Sequence, residues 1–142
     1  MDENKAKRIL GIISLIGGIY EIIFGILMIF FIVPLLNLLG ASIIQLDYPI
    51  FAHTGGLLAI ILGLILSFSS FNVEKYTVNI ILIILLRFLI QIVIIYNMIM
   101  LPEILIGLLL FGLIDLILAI ITIFLLKISN LSFNIFKTVY QQ

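Results

Sequence analysis

Three ionisable residues stand inside long apolar runs of this chain: Glu21, Arg87 and Asp115. Arg87 lies near the centre of NIILIILLRFLIQIVIIYNMIM, residues Asn79–Met100, with Gln91 one helical turn further on. Arginine at the centre of a membrane helix costs roughly 2.5–3.5 kcal/mol, while each Leu, Ile, Phe or Val around it returns about 0.3–0.6 kcal/mol. The neighbours of Arg87 therefore carry it into the bilayer. Once there, a charge faces the protein interior and pairs, and Glu21 and Asp115 are the acids placed to meet it. Two chemistries follow. An intramembrane charge cluster of Glu21, Arg87, Gln91 and Asp115 would fix the register of the helices that carry it. Alternatively, the two carboxylates would relay a proton or ion, since intramembrane acids line such pathways.

Other chemistry is poorly provided for. The chain has no cysteine, which removes disulfides, thiolate nucleophiles and cysteine-ligated metals. Its single histidine, His53, makes a histidine-rich metal site or paired haem ligation a poor expectation. At the outer end of a helix, His53 reads either as a pH sensor or as a tolerated interfacial residue. No nucleophile–base pair, phosphate-binding loop or dinucleotide fingerprint occurs. The expectation is no catalytic, cofactor-binding or metal residue, and so no enzyme and no cofactor. A formal net charge of zero gives no reason to expect a nucleic-acid partner.

The elements that position the charges follow from hydropathy. The chain has 142 residues, 65% of them hydrophobic, and a mean hydropathy of +1.47. Soluble domains run about 45–50% apolar, so an all-α integral membrane protein with a single domain is expected. The apolar runs predict four helices, approximately 9–39, 48–71, 78–101 and 102–126, in an antiparallel bundle. Residues 127–142 form a short cytoplasmic or interfacial tail, with Ile128, Leu131, Ile135 and Val139 near one helical face. A straight helix over 9–39 would reach about 46 Å at about 1.5 Å per residue, more than the roughly 30 Å of hydrocarbon. It is therefore expected to emerge and bend near Pro34, leaving Leu35–Leu39 at the outer interface. The first run lacks the short core and cleavage site of a signal peptide and reads as a retained helix.

Connections carry their own signals. Asp47 is expected to cap the second helix, with Pro49 in its first turn. Asn72–Thr77, NVEKYT, reads as a tight polar hairpin, and Pro102 and Glu103 suit the first turn of the fourth helix. Lys5, Lys7 and Arg8 lie at the N-terminus, Lys75 in the hairpin, and Lys127 and Lys137 in the tail. Neither outer connection holds Lys or Arg, so the positive-inside rule places both termini in the cytoplasm, with the cell membrane as the expected location. On that topology the Asn130-Leu131-Ser132 glycosylation pattern is a chance match.

Small residues mark the expected inner faces. Gly18-x-x-Glu21-x-x-x-Gly25, Gly56-x-x-Ala59-x-x-x-Gly63 and Gly112-x-x-Asp115-x-x-x-Ala119 share one frame, and Arg87 and Gln91 fit its spacing. These positions lie on one helical face, with Ser14, Ser67, Ser70 and Thr122 extending it. Small residues let membrane helices approach closely and polar ones bond across. Each charge lies roughly ten to thirteen residues into its span, near the midplane at about 1.5 Å per residue. Tyr48, Tyr76 and Tyr96 read as interfacial anchors, and Met98 and Met100 as packing residues.

Polar groups concentrated at one depth suffice to hold a bundle and fall short of a conduction path. The expected function is thus a small accessory or structural subunit of a larger membrane complex. Its partners would be the lipid bilayer and other integral membrane subunits, or further copies of itself. The alternative is a small oligomeric ion or proton transporter using Glu21 and Asp115.

Overall fold

A computed structural model describes residues 1–42 and 44–131, and the tail positions Ile135, Lys137 and Val139 lie outside it. The regular elements among the described residues are all helices, with no strand. The elements are α1 (Glu3–Phe30), α2 (Ile32–Leu38), α3 (Ile50–Ser70), α4 (Thr77–Met100), a 3-10 turn (Pro102–Ile104) and α5 (Leu105–Ile128). Four stretches are long and apolar enough to cross a membrane: α1, α3, α4, and the 3-10 turn continued by α5. That is the make-up of a multi-pass membrane protein.

The single first helix expected over 9–39 is two helices that begin earlier. The polar start is helical because Ala6 is fully buried and Lys7 clasps Glu3 at 2.7 Å and Glu74 at 2.6 Å. The break falls at Phe31, whose φ of −133° and ψ of 31° leave the helical region. Pro34 is the cause, because a proline ring collides with the carbonyl one turn back, here that of Phe30. Gly40 ends α2 at a φ of 107°. Its N–H donates to the Asn37 carbonyl at 3.1 Å, and the Ala41 N–H donates to Leu36 at 3.0 Å. This left-handed stop satisfies carbonyls that a helix end otherwise orphans.

Asp47 does not cap α3. Pro49 occupies the capping position with no side-chain bond, and its carbonyl accepts the His53 N–H at 2.9 Å. Proline's fixed φ, −69° here, suits helix entry without a side-chain cap. In the 72–77 turn, the Lys75 N–H donates to Asn72 Oδ1 at 3.0 Å, and the Thr77 hydroxyl donates to the Val73 carbonyl at 2.7 Å. Pro102 and Glu103 open a 3-10 turn where an α-helical first turn was expected. The Gly40 loop presses on that turn, since a Cβ at Gly40 would lie 2.7 Å from the Glu103 carbonyl oxygen. The last helix stops on Asn130 at a φ of 53°, with the Leu131 N–H donating to Leu126 at 3.2 Å.

Packing is uneven around the bundle. α1 lies along α3, α4 along α5, and α1 also meets α5, whereas α3 and α4 touch only thinly. The α1–α3 seam is backbone against backbone. A Cβ on Gly63 would meet the Gly18 carbonyl at 2.6 Å, and one on Gly56 would meet the Gly25 carbonyl at 2.6 Å. The buried core, including Leu10, Leu66, Ile80, Ala119 and Leu126, fills the half holding the start of α1 and the end of α5. Three segments join at that end: Lys7 pairs with Glu74, and Asn130 Nδ2 donates to Glu3 Oε2 at 3.1 Å. The other half is not filled. It holds a cavity of about 380 Å³.

Candidate functional site

The floor of that cavity is where the charges meet. α4 carries Arg87 inward, leaving it 4% exposed, and Asp115 on α5 is 9% exposed. Arg87 Nη2 lies 3.6 Å from Glu21 Oε1 on α1, and Arg87 Nε lies 3.7 Å from Asp115 Oδ1. Direct charge-assisted hydrogen bonds run about 2.7–2.9 Å, so the guanidinium acts as an electrostatic bridge between the two acids. One residue thereby ties α1, α4 and α5 together at a single level.

Gly17 makes room for it. A Cβ there would lie 2.8 Å from Arg87 Nη2 and 3.2 Å from Leu66 Cδ2, so a side chain at this position would push the guanidinium from its seat against α1. Gly17 was not among the residues singled out from sequence. The available signal was its place one turn before Glu21, hence on the same helical face.

Gln91 stays out of the pairing. Its Nε2 donates to the Arg87 main-chain carbonyl at 3.2 Å, and its Oε1 faces Gly112. A side chain of that length reaches the carbonyl of its own helix one turn back more readily than a neighbour's charge. Of the small-residue stripe, Gly18, Gly25, Gly56 and Gly63 build the α1–α3 seam, and Gly112 admits Gln91 and Ile94 of α4. Ala119 is fully buried in the core, while Ala59 lines the cavity. Ser69, also missed, is fully buried and accepts a bond from Asn79 Nδ2 at 3.2 Å, joining α3 to α4. Thr122 turns its hydroxyl onto the Leu118 carbonyl at 2.6 Å.

The cavity walls are apolar. Leu58 and Leu62 come from α3, Leu86 and Ile90 from α4, and Leu39 from the end of α2. Phe24 and Phe111 meet across it with ring centroids 5.1 Å apart, and Tyr20 stacks on Phe24 at 6.3 Å. Tyr48, Tyr96 and His53 are exposed, while Lys75 Nζ sits 5.5 Å over the Tyr76 ring. Among the described residues, no group of three or more His, Cys, Asp or Glu is placed to hold a metal ion. No protein-family model, curated protein or solved structure matches the chain.

Proposed function

We propose that the protein is a small non-catalytic accessory subunit of a larger membrane assembly, held together by a mid-membrane clasp of Glu21, Arg87 and Asp115. The observation that carries this reading is the placement of polar groups. Three charges converge at one depth, and the bundle beyond them is closed by Leu10, Leu66, Ile80, Ile84 and Leu126. A conduction path needs favourable sites spaced through the membrane. A single level of pairing above a packed core serves a clasp and gives an ion no exit.

The clasp belongs to an antiparallel bundle with both termini in the cytoplasm of a cell whose plasma membrane it spans. The opposed order of the glycine pairs, Gly18 with Gly63 and Gly25 with Gly56, supports the antiparallel arrangement. The meeting of the N-terminus, the 72–77 turn and Asn130 at one end supports a shared side for the basic segments. Large apolar side chains such as Phe68, Ile92, Ile106 and Phe124 crowd the outer faces, where lipid or partner helices would cover them.

Extraction from native membranes in a mild detergent tests the role. The tagged chain is expected to migrate in a complex with other integral membrane proteins, and its deletion to weaken that complex. Recovery as a lone chain, with no membrane complex altered by its deletion, would contradict the reading. The relay alternative has one observation in its favour, namely that the cavity reaches both carboxylates from one side.

A further inference from the structure

The clasp leaves the cavity unexplained. At about 380 Å³ it falls within the range of small-molecule sites, which run about 300–1,000 Å³. Its walls suit hydrocarbon, and its one polar region is the charged floor. That floor is uneven: two acids face one base, so the second carboxyl must hold a proton or meet a second cation. All three side chains line the cavity, and the acids are the more accessible. Glu21 and Asp115 keep 17% and 12% of their side-chain surface accessible, against 5% for Arg87, which lies back against Gly17. Asp115 Oδ1 is buried without a hydrogen-bond partner, as are Arg87 Nε and Nη2, so the cluster's hydrogen-bonding capacity is not met from within. Tyr20, Phe24 and Phe111 surround the same space, and aromatic faces attract cations within about 6 Å of the ring centroid.

We infer that the cavity is a binding site for a lipophilic cation, an alkylammonium amphiphile whose head meets Glu21 and Asp115 and whose chain lies along α3 and α4. A carboxylate-headed amphiphile would bring a third acid to this floor. A neutral one would fill the walls and leave the second acid to its proton. The site is separate from the accessory role, and either can fail without the other.

The test is equilibrium binding of octylammonium, octanol and octanoate to the full chain in neutral phosphatidylcholine nanodiscs, with empty nanodiscs subtracted. Octylammonium is expected to saturate at a single molecule per chain and to bind about tenfold or more tighter than octanol, with octanoate showing no saturable binding. Ala59→Phe, which grows a ring into the cavity, and Glu21→Gln are each expected to weaken octylammonium about tenfold or more. No saturable octylammonium binding, or equal binding of the three probes, would overturn the inference. The head-group comparison needs no variant, so it decides the matter even if Ala59→Phe fails to fold.

Discussion

Arg87 has partners on two other helices, so its loss and theirs are not equivalent. Arg87→Leu strands both acids, and removing one side of a buried pair costs about 3–5 kcal/mol. Glu21→Gln leaves Asp115 at 3.7 Å to compensate the guanidinium and is expected to cost less. Arg87→Leu combined with Glu21→Gln and Asp115→Asn should recover part of the single-variant loss in thermal unfolding. Strictly additive losses would mean that the three groups do not couple. These residues were legible in the sequence because a charge inside an apolar run has few tolerable fates. Gly17 was less so, because a glycine beside another glycine carries no mark of what it faces. Gln91 shares a face with Arg87, yet spacing does not say whether an amide reaches across or folds onto its own helix.

At the scale of elements, adjacent glycines on α3 make a sharp comparison. A Cβ on Gly56 would strike the Gly25 carbonyl at 2.6 Å, whereas one on Gly55 meets only the mobile end of Met28 at 3.2 Å. Backbone cannot step aside as a side-chain terminus can. Gly56→Ala is therefore expected to destabilise by about 1–3 kcal/mol, as overpacking does, and Gly55→Ala by much less. Equal unfolding temperatures for the two variants would count against the close α1–α3 seam. The four spans and the bend near Pro34 could be read from hydropathy and proline chemistry. The 3-10 turn at Pro102 could not, and the Gly40 loop packed against it comes from a distant part of the chain. The cavity was equally hidden: it lies where the glycine seam draws α1 to α3 while α3 and α4 touch only thinly.

For the whole molecule, topology and conduction carry the account. On the proposed topology, with both termini cytoplasmic, a cysteine replacing Asn4 should be shielded from an impermeant thiol reagent in intact cells, and one replacing Ser42 should react. The reverse labelling would invert the orientation. The clasp itself requires that Glu21, Arg87 and Asp115 pair at one depth above a packed core, without relaying anything through it. Proton and cation flux through the purified chain, reconstituted alone into liposomes, tests that requirement most directly. The account predicts flux no greater than that of protein-free liposomes. Robust flux that disappears in Glu21→Gln or Asp115→Asn, with the fold retained, would contradict the clasp and establish the relay in its place.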